Sequence, residues 1–175
     1  MKKTIKFISV IAIVILLAVA LTGCTTTETS TNIISTETEN GQSAEEIINK
    51  MKEKNTNIGK VVDYNSETDL NKLLGRPKQY TSKITFEDKR LKQVNLELDK
   101  EKFSEAERNE PTGGTIEVFD NETDMKNRKE YIENFISSPM FLQYLYSKGN
   151  ALLRLEGKLT PEQAKEYETI FNEIV

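Results

Sequence analysis

Histidine and tryptophan are absent from this chain of 175 residues, and cysteine occurs once. Without histidine there is no imidazole base, which excludes Ser/His/Asp and Cys/His triads and zinc sites built on Cys and His. A single cysteine cannot close an intrachain disulfide, so the fold must rest on its core. No glycine-rich phosphate loop of the Gly-x-Gly-x-x-Gly type occurs either, and no cofactor is expected. Basic residues are the minority, 24 against 28 acidic ones.

Long apolar runs are equally scarce, and the one present lies at the start. Lys2, Lys3 and Lys6 precede a run from Phe7 to Leu21 in which only Ser9 is polar, followed by Thr22, Gly23 and Cys24. Those 15 residues would span roughly 22 Å as a helix, short of the roughly 30 Å hydrocarbon core, so a secretory signal is expected rather than a permanent span. The sequence Leu21-Thr22-Gly23-Cys24 resembles a bacterial lipobox. That resemblance implies that residues 1–23 are a signal peptide cut before Cys24, whose thiol carries a diacylglyceryl group. The mature protein would then stay lipid-anchored on the extracytoplasmic face of the cell membrane. The alternative is an ordinary cysteine at the end of a signal peptide or membrane anchor. Loss of the three signal lysines leaves 28 acids against 21 bases, a formal charge of about −7, which disfavours nucleic acid and anionic head groups as partners.

Residues 24–42 continue as TTTETSTNIISTETENGQ after Cys24, half of it Thr or Ser, which reads as a solvated tether reaching roughly 20 to 25 Å. Residues 43–175 are long enough for one domain with a core of its own.

Within that domain, Ser43-Ala44-Glu45-Glu46 is a capping box, and Ala44, Ile47, Ile48 and Met51 then share a helix face. Ile58 to Tyr64 suggests a short strand, and Ser66 is expected to cap a helix carrying Leu70, Leu73 and Leu74 that Gly75 and Pro77 stop. Alternation predicts strands at Tyr80 to Phe86 and around Val94 to Leu98, with Glu87-Asp88-Lys89 as the turn between them. Asp99 to Gly114, charged as far as Glu110 and ending in Pro111-Thr112-Gly113-Gly114, reads mostly as an exposed loop, with a helical turn near Ser104 to Arg108. Thr115 to Phe119 is a strand, and Asp120 or Asn121 caps a helix with Met125, Tyr131, Ile132, Phe135 and Ile136 on its apolar side, ended by Ser138-Pro139. Gly149-Asn150 between apolar runs marks a hairpin, and Thr160-Pro161-Glu162-Gln163 opens a last helix striped by Ala164, Tyr167, Phe171 and Ile174. The expected fold is α+β, a mainly antiparallel sheet with helices packed on one face.

Four stretches, Gly113 to Phe119, Asn127 to Ile132, Gly149 to Leu155 and Leu159 to Tyr167, together resemble a small-lipoprotein family of Gram-positive bacteria. That family has no assigned activity, so the resemblance implies the address and the domain limits alone, and Cys24 is the single functional residue it carries over.

Candidate sites each have a plainer structural explanation. Asp120-Asn121-Glu122-Thr123-Asp124 offers oxygen ligands at alternate positions, but an EF-hand glycine and distal glutamate are missing and helix capping accounts for the same residues. Gly113-Gly114 is a candidate anion cradle or a loop end. Tyr144 and Tyr146, with Phe141 and Tyr131 near, would make an aromatic binding surface or the wet edge of the core. Arg154 and Glu156 would bind a partner's charges or form a solvated cross-strand pair. The functional expectation is a non-enzymatic, membrane-tethered binding module with an envelope protein partner. A carboxylate-based cell-wall glycan hydrolase is the alternative, and a solute-binding lipoprotein the second, disfavoured because 133 residues rarely form two lobes.

Overall fold

The computed structural model describes residues 41–92, 110–136 and 142–175. The anchor region with Leu21, Thr22, Gly23 and Cys24, the expected strand near Val94 to Leu98, the loop residues 99–109, and Ser138, Pro139 and Phe141 lie outside the described residues.

The first helix, α1 (Ala44–Lys54), starts where its capping box predicts. Ser43 Oγ accepts from the Glu46 amide at 3.2 Å, and Glu46 Oε2 accepts from the Ser43 amide at 2.9 Å. Its expected face, Ala44, Ile47, Ile48 and Met51, is buried throughout. Strand β1 (Ile58–Asp63) follows, then β2 (Tyr80–Asp88), β3 (Gly113–Phe119), α2 (Glu122–Ile136), β4 (Gln143–Lys148), β5 (Ala151–Glu156) and α3 (Pro161–Ile174). The five strands form one sheet in the order β1-β2-β3-β5-β4, every neighbouring pair antiparallel. The domain is therefore α+β with an antiparallel sheet, as its alternation and capping signals predict.

Side chains alternate across a strand, so register assigns each residue to a face. Ile84, Ile116, Leu153 and Tyr146 are mutual partners on one face, and Phe86, Val118, Ala151 and Leu155 share it. Helices α1 and α3 cover this face. Tyr167 and Phe171 of α3 are fully buried there, with the Tyr167 ring 5.5 Å from that of Phe86. Gly114 belongs to the same packing, since a Cβ at this position would lie 2.5 Å from Phe86 Cζ and 2.8 Å from Leu155 Cδ2.

The expectation of helices on a single face holds for α1 and α3, whereas α2 lies on the other. It carries the chain from β3 past β5 to the edge strand β4, and its buried residues Met125 and Ile132 join Tyr80, Phe119 and Leu152 in a second, smaller cluster. The face it meets carries Lys83, Thr85, Glu117 and Arg154 and so offers few apolar partners. Tyr131 and Phe135, expected on the buried stripe, are consequently 54% and 57% exposed.

The helix expected after Ser66 is replaced by turns at residues 66–78. Side-chain oxygens capture the amides a helix would have used. Asn65 Oδ1 accepts from the amides of Glu67 and Thr68 at 2.9 and 3.0 Å, and Asp69 Oδ2 accepts from those of Leu73 and Leu74 at 2.9 and 3.1 Å. Left-handed backbone at Lys72, Gly75 and Lys78, with φ of 54°, 76° and 63°, completes the departure from helix. Two boundaries also move. Strand β2 runs through Asp88, whose amide donates to Thr112 O at 3.0 Å, so the turn expected at Glu87-Asp88-Lys89 falls later, at Lys89 and Arg90. Strand β3 begins at Gly113 because Glu87 and Phe86 continue the ladder opposite Gly113 and Gly114.

Candidate functional site

The sheet face under α2 holds the densest charge network among the described residues. Glu117, at the middle of β3 and fully buried, receives Arg128 from α2 and Arg154 from β5. Arg128 donates from Nε to Glu117 Oε2 at 3.1 Å and from Nη2 to Oε1 at 3.3 Å, and Arg154 Nη1 donates to Oε1 at 2.9 Å. Arg154 also donates from Nε and Nη2 to Gln143 Oε1, each at 3.2 Å. Burial lowers the Arg128 pKa, but the Glu117 charge raises it and prevails, so the guanidinium stays charged.

A second buried pair lies beside the first. Lys83 Nζ donates to Asp69 Oδ1 at 2.9 Å with both side chains almost wholly buried, and Tyr80 Oη donates to Asp69 Oδ2 at 2.7 Å. The Tyr64 ring lies 4.4 Å below the Lys83 ammonium, and the Tyr64 and Thr85 hydroxyls are 3.2 Å apart. Burial by itself pushes the Asp69 carboxyl up. The bonds from Lys83, Tyr80 and the Leu73 and Leu74 amides outweigh it and hold the group far below the usual carboxylate range. On the other side of the molecule Asp88, fully buried, accepts from Arg90 and from Tyr167 Oη at 2.8 Å, and these bonds likewise overcome burial and hold it low. A general acid needs a raised carboxyl, and both buried aspartates are shifted the opposite way.

Two recesses open onto this face and meet at Arg154 and Gln143. One, of about 280 Å³, is polar and bounded by Thr85, Glu110, Thr115 and Glu156. The other, of about 460 Å³, lies against α2 and is bounded by Asn71, Leu73, Arg128, Tyr131 and Phe135. Arg154 is thus a shared wall, oriented by Glu117 on one side and Gln143 on the other.

The residues singled out in the sequence are distributed unevenly around this site. Arg154 belongs to it, although not as the solvated partner of Glu156: its guanidinium turns inward to Glu117 and Gln143, while Glu156 borders the polar recess. The aromatic group does not assemble. Tyr144 and Tyr146 pack against the α1 and α3 side, Tyr144 Oη donating to Leu159 O at 3.0 Å, whereas Tyr131 stands on the opposite face. Asn121 caps α2, its Oδ1 accepting from the Asp124 amide at 2.9 Å and its Nδ2 donating to Asp124 Oδ2 at 2.8 Å, while Glu122 pairs with Lys126 one turn on, so Asn121 and Asp124 serve the helix start. Gly113 and Gly114 lie inside β3, buried, where close strand packing requires them. Of the charged loop, Glu110 is described: it borders the polar recess and accepts from Tyr64 Oη at 3.4 Å.

Asp69, Lys83, Glu117 and Arg128 carry no motif in the sequence that marks them as site residues. One charged residue at a mid-strand position, as at Lys83 and Glu117, looks like the solvent side of a half-buried strand. Nothing local shows that a helix and a turn later close over it. Comparison with known protein families, curated proteins and solved structures gives no match to this chain.

Proposed function

We propose that this chain is a lipid-anchored lipoprotein of the extracytoplasmic membrane face whose α+β domain binds an envelope component through the polar face of its sheet. The address rests on the basic flank, apolar run and Leu21-Thr22-Gly23-Cys24 sequence. The binding reading is carried by one observation: Glu117, fully buried, and the partly exposed Arg128 and Arg154 form an ion cluster that borders two open recesses. Burying ions costs several kcal/mol each in desolvation, and apolar residues of similar volume often cover a sheet as well or better. A charged floor beneath open recesses suits recognition, because it orients guanidinium donors before any partner arrives.

Expression in a Gram-positive host with a radioactive fatty acid tests the anchor. The protein takes up label, keeps to membranes through a high-salt wash and has Cys24 as its mature N-terminus, while Cys24→Ala takes up none. An unlabelled wild type overturns the address. A photo-crosslinking residue at position 115, on the rim of the polar recess, tests the binding face in intact cells. A discrete adduct that an Arg substituted at Glu156 suppresses supports it, and the same adducts as from an exposed position on α3 such as Glu166 overturn it.

A further inference from the structure

The recess against α2 has a neighbour on the side of the turn segment. A neighbouring recess of about 420 Å³ shares Leu73, Arg128 and Tyr131 with it and adds Lys78 and Gln79. The charged residues lining this cleft of two adjoining recesses are Lys78, Arg128 and Arg154, and no carboxylate lines it among the described residues. In a chain of net charge −4 that is a local reversal of sign. The reversal survives internal pairing, since Arg128 and Arg154 share a single carboxylate, Glu117, and the group of three keeps one positive charge. The opposite wall is apolar. Tyr131 and Phe135 stand more than half exposed with ring centroids 4.8 Å apart, and the Arg128 guanidinium carbon lies 5.7 Å from the Tyr131 ring.

We infer that this cleft is a binding site for a small organic anion, an aryl or alkyl body bearing one carboxylate. Such sites combine an apolar wall with a few fixed polar groups, and their volumes of about 300 to 1,000 Å³ bracket both recesses. The body stacks on Tyr131 and Phe135, replacing water on two rings that otherwise remain wet. The carboxylate takes donors from Arg128 and Arg154, which Glu117 already holds in orientation, with Lys78 adding charge at the far end. A cationic ligand would meet like charge at each of the three positions. The site lies on the binding face proposed above and rests on that reading, while naming its ligand class.

The test uses the full chain in non-ionic detergent micelles, with equilibrium dialysis against 2-naphthoate and against 2-naphthylmethylammonium, which keeps the ring and inverts the charge. Empty micelles serve as the reference. Wild type binds the anion at least about tenfold tighter than the cation, and raised salt narrows the gap. Phe135→Ser and Lys78→Glu change exposed side chains outside the Glu117 cluster, so both keep the wild-type melting temperature. Phe135→Ser weakens naphthoate about tenfold, and Lys78→Glu weakens the anion selectively. The inference is overturned by naphthoate retention no greater than in empty micelles, by equal affinity for the two probes, or by wild-type affinity in both variants. A concentration-dependent dimer that Phe135→Ser dissolves, without naphthoate binding, would assign the aromatic wall to a second copy and overturn it too. If naphthoate fails while the adduct from position 115 persists, the ligand class falls and the binding face stands; loss of both removes both.

Discussion

Asp69 shows how much one side chain decides here. Its carboxylate accepts from Lys83, from Tyr80 and from two backbone amides, and so ties the 66–78 turns to the floor of the sheet. Asp69→Ala should cost about 3 to 5 kcal/mol in chemical denaturation, because it leaves the Lys83 ammonium buried without a counter-ion. A loss within about 0.5 kcal/mol would mean that the pair contributes nothing. Acid should reveal the same bonds. Asp69 and Asp88 both titrate below an unfolded carboxyl near 3.9, so their contribution is complete above about pH 4 and is lost as pH falls through the folded values. Thermal melts should therefore hold level from about pH 7 to pH 5 and drop steeply below about pH 4, with a shallower drop in Asp69→Asn. An unchanged slope in that variant would remove Asp69 from the account.

Among the elements, α3 combines the firmest local start with the deepest packing. Thr160 Oγ1 accepts from the Gln163 amide at 3.3 Å, the Thr160 amide donates to Gln163 Oε1 at 2.9 Å, and Pro161 occupies the first turn. Thr160→Ala should cost about 1 kcal/mol and Phe171→Ala about 3 to 5 kcal/mol, both read from denaturation midpoints. Equal small losses would show that α3 is not docked as described. Helix α2 is the contrasting case. Its cap at Asn121 is visible in the sequence, yet only two of its five expected apolar positions are buried, Met125 and Ile132, because the face it meets is charged. The 66–78 segment departs furthest: Leu70, Leu73 and Leu74 have helical spacing, but Asp69, held by Lys83 and Tyr80 of β2, accepts from the Leu73 and Leu74 amides instead.

At the scale of the molecule, the core clusters and the capping boxes of α1 and α3 all lie after Gln42. The fragment from Ser43 to Val175 should accordingly unfold in one cooperative transition, and reducing agent should not shift it, because the chain's single cysteine is Cys24. A broad transition in scanning calorimetry, or a midpoint that moves with reductant, would contradict this.

Features that depend on neighbours in the chain were legible from the sequence alone. Capping boxes at Ser43 and Thr160, the Gly149-Asn150 hairpin with φ of 56° at Gly149, and the period-two strands are set within a few residues by backbone bonding and side-chain spacing. The α+β class follows from their order. Which face α2 covers was decided only by tertiary structure, since its short apolar stripe suits either layer until the strand order is known. The site belongs to the same class: Glu117, Arg128 and Arg154 come from β3, α2 and β5, and Lys83 meets Asp69 across a strand and a turn. A mid-strand charge has the same sequence signature whether water or a guanidinium faces it. Burial turns that charge into a fixed floor, and burial is a property of the assembled sheet, its covering helix and the turn above it.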